Sequence, residues 1–326
     1  MRAIIPVAGE GTRLQPLTQY KPKALVEVAG KPVLEHILDN VVRSHIQEVV
    51  LIVGYMKEKL QSWANQKYGD QLKLNFVVQE QQLGLGHAIR CAGDLLDEEI
   101  LIMLGDEIFE RNYSDMIVSR SNSDCAIGAL GTKHVNEPQH YGMMSVDENG
   151  IIQNLVEKPP TFDGSLAIAG VYYIEEGHKL KQALDVLMER DKKLGEFQLT
   201  DALQIMIDNG AKLSTFDAGD WHDCGRLETL IKSNRSLLSE SNHIAQSSHI
   251  ERTEIVEPCY VGPGAQISDS QMGPFVAVGN NAVVEECKLE DMILERQTNV
   301  RGISGRWGII SKHVTAFESK NAVQPD

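Results

Sequence analysis

Residues 6–25, PVAGEGTRLQPLTQYKPKAL, follow an apolar run (Ala3, Ile4, Ile5) and crowd two glycines, one arginine and two lysines among two internal prolines. Glycine lets backbone N–H groups approach an oxyanion, and the Arg13 guanidinium adds a planar fork of donors suited to a polyphosphate. Lys23, between Pro22 and an expected strand ALVEV, stands on a stiff segment where a point charge can face a second phosphate. The loop reads as a cradle for a triphosphate. It is not a Walker loop, because GxxxxGK[ST] is absent, and Pro16 interrupts the helix that a dinucleotide fingerprint needs. Asp106 closes a second apolar run, ILIMLGD, at the strand-end position where α/β proteins place ligands. Taken alone, such an aspartate reads more simply as a turn or helix cap. The histidines, His87 and His222 among them, show no metal-ligand spacing and read as surface or packing residues.

The elements that must hold these residues alternate. RAIIPVA is followed by a helical segment over 31–45, with Val33, Leu34, Ile37, Leu38, Val41 and Val42 on one face and Pro32 suited to its first turn. EVVLIVGY, LNFVVQ, a helix at about 86–96, EILIMLGD, a helix near 113–122 and CAIGALGT continue a βαβ series. Such a series predicts a mainly parallel, doubly wound sheet with helices on both faces. Residues 143–158 read as a hairpin around DENG and 166–174 as a strand; helices are expected at 178–193, after GEFQLTDAL and at 226–240. After about residue 245 the pattern changes. Ile255, Val261 and Ile267 are six apart, and Met272, Val278 and Val284 repeat that interval after one five-residue step. This is the hexapeptide mark of a β-helix, of about three coils. The expected domains are 1–241 and 242–326.

With 326 residues, 42% of them hydrophobic and 24% charged, the chain can bury a sizeable core and reads as a soluble globular protein. No apolar run approaches the ~20 residues of a membrane span, and Met1-Arg2 leads into a strand, so a cytoplasmic protein is expected. Five cysteines (Cys91, Cys125, Cys224, Cys259, Cys287) form no CxxC pair and suit reduced, buried thiols. The net charge of -15 opposes general attraction to nucleic acid or an anionic membrane, so an anionic ligand needs a local site.

AGEGTRLQPLT, KPKALVEVAGKP, VVQEQQLGLGHA, LGDEIF, VEKP and WHDCG occur in the order found in sugar-phosphate nucleotidylyltransferases. The chain resembles glucose-1-phosphate thymidylyl- or uridylyltransferases that end in a short left-handed β-helix. The resemblance implies a Rossmann-like, doubly wound mixed sheet of the nucleotide-diphospho-sugar transferase type. The implied reaction is attack of a sugar 1-phosphate on the α-phosphorus of a nucleoside triphosphate, with dTTP or UTP and glucose 1-phosphate favoured and pyrophosphate released. By the same resemblance Ala8, Gly9, Gly11, Thr12, Arg13, Gln79 and Gly84 bind the nucleotide. Arg13 takes the β and γ phosphates, Lys23 neutralises charge at the α-phosphate, and Asp106 and Asp223 share one Mg²⁺. Gly142, Glu157, Lys158, Gly170 and Tyr172 face the sugar phosphate, Lys158 clamping its phosphate and Glu157 accepting from its hydroxyls. Tyr172 and Trp221 read equally as pocket lining or core. Ala169 stands where uridylyltransferases for N-acetylglucosamine 1-phosphate commonly have asparagine, which counts against that substrate.

Guanylyl transfer to mannose 1-phosphate and a catalytically silent regulatory subunit of the same fold stay open as alternatives. An acetyltransferase tail is disfavoured, because about three coils are short for an active site between neighbouring β-helices. The tail is expected to assemble a dimer or tetramer of the chain with itself, through β-helix ends left open.

Overall fold

The computed structural model describes residues 1–120, 126–238 and 242–319. The chain divides into two compact units: Met1–Glu10 with Ile37–Trp221, and Gly11–His36 with His222–Asp326. The expected boundary at 241/242 adjoins residues 239–241, which lie outside the described residues. Packing groups the segment Gly11–His36 with the tail.

In the first unit, Arg2–Pro6 pairs in parallel with Glu48–Val53 on one side and Ile100–Met103 on the other, and Lys73–Val78 extends the parallel set. The three inner strands are rich in Ile, Val and Leu, with Ile4, Val50, Ile52, Ile100 and Ile102 fully buried, whereas Lys73–Val78 is half-buried apart from the exposed Lys73. The inner three have the composition of strands covered on both faces. The sheet turns mixed at Leu166–Ile174, which runs antiparallel to Ile100–Met103 and to Gly128–His134. The hairpin around DENG is present as Gly142–Val146 against Ile152–Glu157. Ser214–Asp217 adds a strand that the sequence reading does not contain.

The helix Val33–Arg43 buries Leu34, Ile37, Leu38 and Val41, the spacing of one helical face. Pro32 differs from expectation: it belongs to a short strand with Lys31, opposite Glu27. The sequence reading also lacks the helix Lys57–Tyr68. Its buried residues, Leu60, Ala64 and Tyr68, form one thin line among polar neighbours, too little for a visible stripe. Among the described residues no helix is long and apolar enough to cross a membrane. Cys91 is half-buried, and Cys224, Cys259 and Cys287 are buried; all four are free thiols, while Cys125 lies outside the described residues.

The second unit contains a parallel β-helix. His249, Gln266, Val283 and Asn299 stack in register, as do Tyr260, Ala277 and Ile293. Of the six-residue series, Val261, Ile267, Met272, Val278 and Val284 are buried inside the coils, and Ile255 is half-buried against them. The 6-6-5 spacing makes a coil of 17 residues, so Cys287 N donates to Ser270 Oγ one coil below. One face stacks His243–Ile244, Cys259–Val261, Val276–Val278, Lys288–Leu294 and Ser304–Ile310, which exceeds the expected three coils because the repeat continues past Val284. Thr315–Ser319 then folds antiparallel against Ser304–Ile310 and covers that edge.

The segment Gly11–His36 is anchored on these coils. Lys21 pairs with Glu295 at 2.6 Å, Arg296 pairs with Glu27, and Tyr20 stacks on His313 with ring centroids 4.5 Å apart. Glu27 and Glu295 are 2% and 1% exposed. Burial pushes the Glu27 carboxyl up, the Arg296 charge opposes this, and Glu295 adds to it. The helix Leu227–Leu238 joins both parts: Asn234 accepts from Ala29 N (2.9 Å) and donates to Phe275 O (3.1 Å), while Arg235 grips Asp291 through two bonds of 2.8 and 2.7 Å.

Candidate active site

The order of strands in the first unit makes a crevice. From Arg2–Pro6 the chain proceeds to Glu48–Val53 and Lys73–Val78 on one side, then returns to Ile100–Met103 on the other. Where connections part in this way, space opens outside the carboxyl ends of the strands. Val7–Gly9 leave one central strand there and Leu104–Asp106 leave the other. At Gly105 a Cβ would lie 2.4 Å from Val7 Cγ1 and 2.7 Å from the Pro6 carbonyl, so only glycine lets the chain reach Asp106 by this route. Asp106 is half-buried. The Ala8 carbonyl accepts from Tyr55 N (3.0 Å) and from Gln82 Nε2 (3.2 Å), which ties the end of the first strand to the segment that carries Gln79.

Gln79 lies just past the strand Lys73–Val78, its N–H donating to Val53 O at 2.8 Å. Its side chain is 6% exposed, and Nε2 faces the Gly84 carbonyl (3.3 Å) and His87 Nδ1 (3.0 Å). The turn after it is held by reciprocal backbone bonds: Phe197 N donates to Leu83 O and Gly86 N to Phe197 O, both at 2.8 Å. Lys192 stands 5.5 Å from the centre of the Phe197 ring.

A polar cluster in the same unit adjoins this crevice, for Leu104 N donates to Gly170 O at 3.0 Å. Glu157 closes the strand Ile152–Glu157, accepts from Thr200 Oγ1 at 2.5 Å and pairs with Lys158 at 3.2 Å. A Cβ on Gly142 would sit 3.0 Å from Thr200 Oγ1 and 3.2 Å from Glu157 Oε2. Lys158 is exposed and holds a φ of 44°, with its N–H bonded to Tyr141 O. A lysine with positive φ carries backbone strain of the kind stored at functional positions. Gly170 has φ of 57°, and a Cβ there would fall 1.8 Å from Glu107 Oε2, so Glu107 lies directly against the backbone. Tyr172 is buried; burial first, then the carboxylates of Glu107 and Glu157, push its hydroxyl well above the ordinary phenol range. Trp221 packs edge-on against Phe109 and tilted against Tyr141, under Lys133, which gives it aromatic and cationic neighbours.

The second unit holds the remaining residues. The loop of residues 11–25 winds through three 3-10 turns, Thr12–Leu14, Leu17–Gln19 and Lys23–Leu25, so ALVEV is a turn entering a two-residue strand. Gly11 has φ of 68°, and its Cα lies so close to the Lys23 stem that a Cβ would be 2.8 Å from Lys23 Cβ. Thr18 Oγ1 donates to Gly11 O at 2.8 Å. Leu14 and Leu17 are buried, while Thr12 and Arg13 are exposed; the Arg13 guanidinium makes no hydrogen bond or ion pair among the described residues. Asp223 is half-buried, its Oδ1 accepting from Gly225 N at 2.7 Å and its carbonyl from Ser233 Oγ at 2.9 Å.

Of the sequence candidates, Ala8, Gly9, Gln79, Gly84, Asp106, Gly142, Glu157, Lys158, Gly170 and Tyr172 thus belong to the first unit, and Gly11, Thr12, Arg13, Lys23 and Asp223 to the second. Thr200 and Glu107 are additions. Both stood inside quoted motifs, GEFQLTDAL and LGDEIF, but neither type at those positions signals a partner across the sheet.

A family model described as nucleotidyl transferase matches residues 2–240. The chain is 28% identical over 343 residues to a glucose-1-phosphate thymidylyltransferase of Streptomyces antibioticus, covering 99% of this chain and 95% of that one. It is 34% identical over 244 residues to the bifunctional protein GlmU of Methanococcus maripaludis, covering 74% of this chain and 55% of the relative, so it spans about half of that protein's length. The crystal structure of a UDP-glucose pyrophosphorylase complexed with UDP-glucose superposes with a TM-score of 0.63 at 22% identity, over 73% of this chain and 98% of that one. At that identity the likeness is one of fold.

Proposed function

The chain belongs to the nucleotidyl transferase family, and from that premise we propose that it joins a nucleoside triphosphate, dTTP or UTP, to glucose 1-phosphate. The observation that carries this reading is the crevice at the strand ends, where Ala8, Gln79 and Asp106 follow the carboxyl ends of three parallel strands of one sheet. A phosphate oxygen of the sugar phosphate attacks the α-phosphorus, the bond from that phosphorus to the β-phosphate bridge oxygen breaks, and pyrophosphate leaves. The nucleophile is already anionic, so no general base is required. The work of the protein is to bring two polyanions together and to neutralise them.

Arg13 binds the β and γ phosphates; its guanidinium has no competing partner among the described residues. Lys23, packed on Gly11, offers its charge to the α-phosphate. Lys158 holds the sugar phosphate, and its strained backbone aims it. Glu157, fixed by Thr200, accepts from sugar hydroxyls, while Gly142 and Gly170 leave room for the ring and Tyr172 walls it. Gln79 and Gly84 meet the base edge; Ala8, Gly9 and Thr12 line the phosphates with backbone groups, and at Gly9 a Cβ would meet nothing within 4 Å, so packing alone does not call for glycine.

Asp106 and Asp223 offer hard oxygen donors, which with phosphate oxygens and water suit Mg²⁺. When bound, a divalent ion supplies positive charge at the reacting phosphates. Ala169 is fully buried and has no amide to offer an N-acetyl group, which favours glucose over N-acetylglucosamine. The tail performs no chemistry in this reading; it supports the phosphate loop and contributes to self-association as a dimer or tetramer. The test is pyrophosphate release from dTTP or UTP with glucose 1-phosphate, repeated in excess chelator. Loss of release on chelation supports the two-carboxylate metal site, and full turnover there contradicts it.

A further inference from the structure

The nucleotide reading leaves His87 unused, yet its ring faces the side chain assigned to the base. The Gly84 carbonyl can only accept, so the group turned toward it at 3.3 Å must be the Gln79 amide nitrogen. The second proton of that nitrogen then meets His87 Nδ1 at 3.0 Å, which must present a lone pair and leave the imidazole proton on Nε2. At 6% exposure both amide protons need partners inside the protein, and these two acceptors supply them. Gln79 Oε1 makes no hydrogen bond among the described residues.

We propose that His87 is a specificity-determining positioning residue, which fixes the Gln79 carboxamide so that Oε1, a pure acceptor, is what a nucleobase meets. This rests on the nucleotidyl-transfer reading and goes beyond it to the choice of base. Uracil and thymine present an N3–H, which Oε1 accepts. Cytosine presents a bare N3, which repels Oε1 and would need the amide reversed. Reversal sets Oε1 against the Gly84 carbonyl, which can only accept, and obliges His87 to move its proton from Nε2 to Nδ1. The device therefore favours imide pyrimidines over cytosine without touching the base itself.

The proton state of His87 follows from its surroundings. Burial holds the imidazole below its ordinary range, and the Lys192 charge adds to this. The Cys91 thiol, 4.0 Å from both ring nitrogens on the same helix, is pushed up by burial and stays protonated at neutral pH. Arg90 on that helix is paired with Asp185, and the Glu196 stem packs at Gly84. Neutral His87 thus persists through neutral pH. Protonation at lower pH converts Nδ1 to a donor, removes one of the two acceptors and frees the amide to turn.

The experiment uses the full chain as wild type, His87→Phe and His87→Asn, whose Oδ1 stands where Nδ1 does. For each, kcat/KM is measured with UTP, dTTP and CTP, and equilibrium binding of UTP and CTP is measured alongside. The expected result is a UTP-to-CTP ratio roughly tenfold smaller in His87→Phe, the scale of one lost hydrogen bond, largely restored in His87→Asn, with KM for the sugar phosphate unchanged. In the wild type the ratio should be level at and above neutral pH and fall under acid conditions, and in His87→Phe it should not titrate. Equal ratios in wild type and His87→Phe, by turnover and by binding, overturn the inference. Absence of turnover with any triphosphate would instead count against nucleotidyl transfer, and the binding ratios would then decide the role of His87 alone.

Discussion

Arg13 and Thr200 mark the two ends of what a residue reveals about its task. Arg13 is exposed, bonds to nothing among the described residues and sits on a turn anchored by Leu14 and Leu17. Folding does not need its charge, so Arg13→Ala should lower kcat by roughly 10²–10³-fold while unfolding stability moves by no more than about 0.5 kcal/mol. Near-normal kcat would remove it from the mechanism. Thr200 is buried and its hydroxyl is spent on Glu157. Thr200→Val keeps the shape and drops the donor, so KM for the sugar phosphate should rise several-fold while KM for the triphosphate stays put; equal change in both would place Glu157 on the wrong side of the site. Arg13 was legible in the sequence because glycine, arginine and proline crowd one loop. Thr200 was not, because its meaning lies in a contact with a residue 43 positions away.

At the scale of elements, the parallel strands and the coils were legible for opposite reasons. The inner strands are apolar runs, and the coils repeat Val, Ile and Met at six residues, each a pattern that survives without neighbours. The helix Lys57–Tyr68 shows only three buried residues, and the turns of residues 11–25 depend on packing that no local pattern records. The anchoring of that segment is the clearest case. Arg296→Ala would leave Glu27 and Glu295 buried side by side, and should destabilise the chain by about 2–3 kcal/mol in denaturant unfolding. The Glu27 carboxyl is raised, so folding favours its protonated form: its contribution is present below the ordinary carboxylate range and is lost as pH rises through the raised value. Wild type should accordingly lose stability relative to Glu27→Gln as pH rises through that window, and an unchanging difference would contradict the assignment.

For the whole molecule, the sequence places every proposed catalytic residue before residue 241 and so suggests that residues 1–241 act alone. The packing alters that expectation. Lys21, Glu27 and Tyr20, which flank Lys23 in the chain, take Glu295, Arg296 and His313 of the tail as partners. A chain ending at residue 241 should fold its sheet but lose kcat tenfold or more, approaching the ~10² that an ångström of misplacement costs. Full activity in that truncated chain would make the tail dispensable to the loop. Thr315–Ser319 covers one edge of the last coil, so that end is not left open as expected; light scattering should still find a smaller assembly for the truncated chain, and equal assemblies would remove the tail from self-association. The central claim is nucleotidyl transfer to a sugar 1-phosphate, and its most direct test is a matrix of triphosphates against sugar 1-phosphates with Mg²⁺, scored by pyrophosphate release. The account predicts the highest kcat/KM for dTTP or UTP with glucose 1-phosphate; no pyrophosphate from any pair would contradict it.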